Sequence, residues 1–356
     1  MRRIAHRSAR SGLAKLTKTA GQRRLAWLAR LAITALVLGL LFSRISFDQV
    51  LQGLGGLRSP VLAVILANFL LIRFLVAQQM SLGLRALRLS FSIWELFRIN
   101  LIAGFFSLLL PGDLVAGGYT WYRLSRPTGQ VAPAGLLLVY LRLLNTATLL
   151  GLGLVGMGFD SRLVVGYGRL GLVAMLLGTG LMAVPFFSPR AMDWLEAQPA
   201  TLALKQRLPA RIVRPMQMAW QSIRDFHQLA NLRSLLVLLG LALLAQALGV
   251  LNLALLAHAV GVNLSLAALT WVRTVFTVVQ MIPLSYAGLG LREATLVVLL
   301  QAYDVPQASA LALSLAVFAM IVFGGLLGGL AQVYELARSE RSQNQASTEA
   351  QVDSLG

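Results

Sequence analysis

Long apolar runs recur through almost the whole chain, at residues 25–42, 60–80, 133–158, 169–187, 234–259 and 307–336. Each is near or above the ~18–20 residues that a helix needs to cross a bilayer. In hydrocarbon every backbone N–H and C=O must be satisfied within the segment, which leaves helices or closed barrels. The runs are too long and too uniformly apolar for barrel strands. The expected fold is therefore an all-α polytopic membrane protein. Composition agrees, because 57% of the 356 residues are hydrophobic, only 12% are charged, and mean hydropathy is +0.74. Soluble domains carry about 25% charged residues.

The net charge of +18 resembles that of a nucleic-acid binder until the charges are placed. Nine Lys/Arg and no acid lie in residues 1–30, and most others border apolar runs. That is the positive-inside pattern, and it puts residues 1–24 in the cytoplasm as a basic segment. No nucleic-acid partner is expected. The chain has no cysteine, so no disulfide framework and no thiolate site can form. The run at 25–42 is long enough to span and lacks a clean small-residue cleavage site, so it reads as an uncleaved first helix.

The run at 99–110 is short for a crossing, and parity decides its reading. Were it to span, the loop at 188–232 would fall outside the cell. That loop carries Arg190, Lys205, Arg207, Arg211, Arg214 and Arg224 against Asp193, Glu196 and Asp225. The positive-inside rule predicts instead a re-entrant segment turning at Pro111-Gly112-Asp113. A second break occurs at 281–293, where Pro283, Ser285, Gly288, Gly290 and the Arg292–Glu293 pair interrupt apolar sequence. Two Pro/Gly-interrupted segments in corresponding halves point to a transporter's central site. The expected architecture has about eight crossings with both termini cytoplasmic. The membrane domain covers 25–336, the loop at 188–232 lies as amphipathic helices on the cytoplasmic face, and a polar tail at 337–356 is disordered.

Motifs for chemistry are sparse. Gly-x-Gly-x-x-Gly occurs at 151–156 and 166–171, but neither match follows a strand and opens a helix, so helix packing is the better reading. His6, His227 and His258 are scattered, and no metal-ligand spacing or Ser–His–Asp order is evident. Neither a cofactor nor a metal is expected. Polar groups at membrane depth say more. Arg73 must face the bundle or snorkel. Asn145, Gln246 and Asn252 lie along apolar runs, and Gly324-Gly325 with Gly328-Gly329 favours close helix approach. Arg142 lies about nine residues into its run, where an arginine costs roughly 2.5–3.5 kcal/mol on insertion scales and calls for a partner. Arg142, Arg292, Glu293, Ser285, Asp113 and Arg123 are the candidate headgroup residues, since a guanidinium fork matches phosphate. Pro111, Gly112, Gly117, Gly118, Pro283, Gly288 and Gly290 would allow close backbone approach and hinge motion.

These residues carry a resemblance. Pro111-Gly112-Asp113, Gly117-Gly118, Arg123-Leu124-Ser125-Arg126, Arg142 and the run from Pro283 through Gly288-Leu289-Gly290-Leu291-Arg292-Glu293-Ala294 resemble the lysylphosphatidylglycerol synthase transmembrane region, also called the flippase-like domain family. The sequence departs from the family pattern where Tyr119 follows Gly117-Gly118 and where Leu141 precedes Arg142. The resemblance covers the membrane part and implies a helical bundle with re-entrant elements that moves lipid between leaflets of a bacterial inner membrane. It implies no enzymatic activity of this part. It leaves the lipid open among phospholipid, glycolipid and hopanoid types, and leaves room for a lipid-synthesis enzyme partner or a homo-oligomer. The competing readings are a membrane enzyme or accessory subunit for lipid or polyprenyl-phosphate sugar transfer, and a structural scaffold.

Overall fold

The computed structural model describes residues 59–109, 113–129, 131–160, 232–281 and 291–353, with a few isolated positions between 177 and 226. The expected first span, the loop at 188–232 and the Pro283–Gly290 break lie outside these residues or almost wholly so. Two compact units divide the chain, residues 1–46 with 332–356, and residues 47–331. The geometry below belongs to the second unit, apart from the end of the last helix.

The described residues form eight helices: α1 (Ser59–Ala86), α2 (Ile93–Leu109), α3 (Asp113–Thr128), α4 (Val131–Phe159), α5 (Leu232–Ala259), α6 (Leu266–Gln280), α7 (Leu291–Gln301) and α8 (Gln307–Asp353). Four of them are long and apolar enough to cross a membrane, at Pro60–Ala86, Ala132–Phe159, Leu232–Ala259 and Gln307–Arg338. With 15 and 11 residues, α6 and α7 are each too short to cross alone. They lie on either side of residues 282–290, which are outside the described residues. The helix expected at 99–110 begins earlier, at Ile93, and the next described helix, α3, opens at Asp113. The last helix continues to Asp353, through the tail whose sequence predicts disorder. Residues 337–353 hold no glycine or proline and are rich in Ala, Glu, Gln and Arg, all good helix formers.

Three helix ends share one closure. Leu89 N–H donates to Leu84 O at 2.8 Å, Val262 N–H to Ala257 O at 2.8 Å and Val305 N–H to Leu300 O at 3.3 Å. Each spans five residues and needs a left-handed residue just before the donor. Gly261 supplies it freely at φ 78°, while Arg88 at 59° and Asp304 at 60° adopt it as non-glycine residues. At its start α6 is capped by Ser265, whose hydroxyl accepts from Ala268 N–H at 3.1 Å.

Side-chain ties set the helix pairing. Asn68 Nδ2 donates to Leu248 O at 2.9 Å and Gln79 Nε2 to Leu238 O at 3.1 Å. Ascending numbers on α1 meet descending numbers on α5, so the two run antiparallel. The same logic makes α4 and α6 antiparallel. Thr274 Oγ1 donates to Leu149 O at 3.2 Å, and the Gly156 face of α4 lies against Ala267 O, where a Cβ would come to 2.8 Å. On α8, a Cβ at Gly328 would lie 2.1 Å from Leu101 O of α2, and one at Gly324 would lie 2.4 Å from the Phe69 ring of α1. The glycine pairs thus do what small residues do in membrane bundles, which is to bring backbones together. Gly156 does so too, which accounts for one of the two Gly-x-Gly-x-x-Gly matches.

Apolar side chains fill two cores. One gathers Ile65, Met157, Leu253, Trp271, Val272, Leu296, Leu313 and Met320, and the other Leu84, Leu96, Leu124, Leu137, Tyr140 and Leu238. Large apolar side chains also stand outside, among them Val155, Leu236, Leu243, Leu251, Val298 and Leu330. So many exposed large apolar side chains are a liability in water and the natural exterior of a protein in lipid.

A two-arginine cavity as candidate functional site

The middle of the long helices is polar on its inner face. In α1, Arg73 stands fourteen residues from Ser59 and thirteen from Ala86, about 20 Å from either end at 1.5 Å per residue. That is too deep for snorkelling. The side chain turns into the bundle, where Nη1 donates to Asn100 Oδ1 of α2 at 3.2 Å and the guanidinium sits 5.1 Å from the centre of the Phe69 ring. At the centre of α6, Arg273 donates from Nη1 to Gln246 Oε1 of α5 at 2.9 Å. From there a chain of neutral groups extends outward. Gln246 Nε2 donates to Asn145 O of α4 at 3.1 Å, and Asn145 Nδ2 donates to Gln79 Oε1 of α1 at 3.3 Å. Four helices are thereby linked by one chain of polar side chains, mid-helix on α4, α5 and α6 and nearer the C-terminal end of α1.

Arg73 and Arg273 line one half-open cavity of about 230 Å³. Its walls come from four helices: Phe69 and Arg73 of α1, Gly249 and Asn252 of α5, Arg273 and Thr277 of α6, and Met320 of α8. The Arg273 guanidinium lies against the bare face of Gly249, where a Cβ would meet Nη2 at 2.2 Å. Asn252 makes no side-chain hydrogen bond among the described residues, and its Oδ1 is buried. The described lining contains no acidic residue. The volume is below the roughly 300–1,000 Å³ of pockets for drug-sized ligands, so it suits a headgroup with acyl chains left outside.

The residues that the sequence singles out are spread elsewhere. Arg292 is fully buried on α7, with Nε donating to Ser314 Oγ at 3.2 Å and the guanidinium 4.4 Å from the centre of the Phe318 ring. Both partners lie on one face of α8, so Arg292 fastens α7 to α8. Arg142 is exposed on α4, and Arg123 is partly buried on α3. None of these three lines the cavity. Asp113 opens α3, and Glu293 follows Arg292 in α7; their side chains lie outside the described residues. Gly117 and Gly118 face open space on α3. Ser285, Pro111, Gly112, Pro283, Gly288 and Gly290 also lie outside the described residues. Arg273 was missed by sequence reading although its signal was present. It is the one charge in the run from Leu264 to Ile282. The depth criterion that marked Arg73 applies equally to it.

A second polar group lies where α4 ends. Trp271 Nε1 donates to Tyr303 Oη, and Tyr303 Oη donates to the buried Asp160 carboxylate. These bonds join α6, the turn after α7 and the end of α4.

Fold and site together define a multi-pass helical membrane protein with a cationic cavity between its helices. The family model described as "Lysylphosphatidylglycerol synthase TM region" matches residues 27–329. The chain belongs to this family, a group of membrane domains associated with lipid-related functions. No curated protein and no solved structure matches the chain.

Proposed function

We propose that this protein is a non-enzymatic lipid transporter of the flippase type. In this reading it sits in a bacterial inner membrane with both termini cytoplasmic and moves a phospholipid, glycolipid or hopanoid-type lipid between leaflets. The observation that carries the reading is the cavity shared by Arg73 and Arg273 at mid-helix depth. Ionisable groups inside a membrane are expensive and mark substrate pathways by default. A headgroup held there stays shielded from hydrocarbon, while apolar walls such as Phe69 and Met320 admit the chains. Family membership supports the same reading.

The test is lipid transfer between leaflets of vesicles containing the purified protein, comparing wild type with Arg73→Gln, Arg273→Gln and Arg142→Ala. Transfer that is lost in the first two and kept in the third is the expected result. Loss only in Arg142→Ala would put the pathway on the face of α4 instead. Absence of transfer for every lipid offered, by folded protein, sinks the transporter reading.

A further inference from the structure

We infer that the cavity holds a small, weakly hydrated monovalent anion such as chloride, bound by the Arg273 guanidinium and the Asn252 amide as a standing counter-charge. The inference goes beyond the transporter proposal and does not need it. Its first support is the state of Arg273. An arginine keeps its charge inside a protein and presents five N–H donors. Its single side-chain hydrogen bond among the described residues, at 2.9 Å, goes to a neutral acceptor, Gln246 Oε1. A lysine so placed could shed its proton, whereas an arginine cannot. Holding an ion out of bulk water costs several kcal/mol unless a counter-charge and further hydrogen bonds offset it. The described lining beside Arg273 contains no carboxylate. An anion entering the cavity supplies both the charge and the acceptor.

Asn252 is the second support, independent of the first. It follows Gly249 by three residues on α5, which puts both on one helix face. The Arg273 guanidinium lies against Gly249, so the amide borders the same space, and both side chains line the cavity. The Asn252 side chain makes no hydrogen bond among the described residues, and its Oδ1 is buried. The Nδ2 end, a donor, is therefore the one left to meet an occupant. The other polar groups of the lining are engaged. Thr277 Oγ1 donates to Arg273 O at 2.7 Å, and Arg73 is held by Asn100 Oδ1 and stands over the Phe69 ring.

Size and hydration select the class of ion. The cavity is half-open and holds about 230 Å³, against roughly 30 Å³ for one water in the liquid. A halide fits there with several of its waters. Phe69, Leu253, Phe276 and Met320 make much of the wall apolar. Such walls disfavour strongly hydrated dianions such as sulfate and phosphate, which are excluded from protein surfaces. Arg273 offers one positive charge, and a monovalent ion matches it.

The experiment uses the purified full-length chain in an uncharged detergent, with thermal unfolding as the readout. Sodium chloride, bromide, sulfate and gluconate are compared at matched ionic strength in wild type, Arg273→Gln and Asn252→Leu. An ion that binds only the folded state makes the melting temperature depend on its concentration. In wild type, chloride and bromide should raise it by several degrees between about 1 and 100 mM, beyond any rise in gluconate. The general stabilisation by sulfate should be equal in all three proteins. Arg273→Gln should lose the chloride-specific rise. Asn252→Leu should need about fivefold more chloride for the same rise, the scale of one hydrogen bond. Broadening of the chloride NMR line by wild type, reversed by bromide, is a second reading that needs no variant.

A melting temperature equal in chloride and gluconate overturns the inference, as does a chloride line that wild type leaves sharp. A full chloride response in folded Arg273→Gln overturns it too. Should that variant not fold, an unchanged response in Asn252→Leu does the same. A larger Arg273-dependent rise in sulfate than in chloride overturns the monovalent assignment. The transporter proposal fails separately. Absence of lipid transfer in vesicles leaves the ion site standing, and absence of a chloride response leaves transfer standing.

Discussion

Gly249→Ala is the sharpest probe of the cavity, because it moves Arg273 without touching its charge. An added Cβ would lie 2.2 Å from Nη2, 2.5 Å from Cζ and 2.7 Å from Nε of Arg273. To regain an ordinary contact of about 3.4 Å the guanidinium must retreat by about 1.2 Å. Nη1 stands 2.9 Å from Gln246 Oε1, so a shift of that size breaks the bond or drags Gln246 along. Gln246 is itself held to Asn145 O at 3.1 Å, and moving it disturbs the polar chain. Losing a hydrogen bond to a charged group costs about 1.5–3 kcal/mol. Replacing a mid-helix glycine by alanine returns about 0.8–1 kcal/mol. The net expectation is destabilisation by about 0.5–2 kcal/mol, with transfer or headgroup binding lowered several-fold or more. Gly240→Ala is the control, since it sits on the same helix with nothing within 4 Å of its added Cβ. That variant should be as stable as wild type or more so, by up to about 1 kcal/mol. Thermal unfolding in detergent and lipid transfer in vesicles read both effects. If Gly249→Ala matches Gly240→Ala in both assays, the placement of Arg273 against Gly249 is wrong and the cavity argument goes with it.

Two other substitutions test the frame that holds the cavity. Gly328→Ala would drive a Cβ to 2.1 Å from the backbone oxygen of Leu101, which cannot rotate away, so α8 must move off α2. A loss of about 1–3 kcal/mol in unfolding stability is expected, the usual cost of overpacking. Arg292→Ala empties a fully buried site and strips Ser314 and Phe318 of their partner, which should cost about 2–5 kcal/mol. Arg292→Met fills the same space without a charge and should recover most of that loss. Equal instability of the two variants would mean that the charge of Arg292, not its packing, is what α7 depends on.

The parts of the fold that could be read from sequence are those fixed by the solvent. Runs at 60–80, 133–158, 234–259 and 307–336 become α1, α4, α5 and α8 because hydrocarbon leaves an apolar segment of that length no other way to satisfy its backbone. The separate helices α6 and α7 within 264–302 fall where proline and glycine in the sequence argue against one continuous helix. Arg73 was legible as a buried charge on depth. What it meets was not. Sequence spacing relates residues along one helix, whereas the cavity is made by residues far apart on α1, α5, α6 and α8.

Sequence by itself determined a helical, multi-pass membrane protein, its family, and a set of polar groups too deep to be incidental. Among those groups only the tertiary structure sorted the roles. It buried Arg292 against Ser314 and Phe318, left Arg142 on an exposed face, and brought Arg73 and Arg273 to one cavity. The physical reason is that the cost of burying a charge is local and can be counted from sequence position. Its compensation depends on helix pairing and register, which are decided by glycine contacts and cross-helix hydrogen bonds such as Gly156 on Ala267 and Gln79 on Leu238.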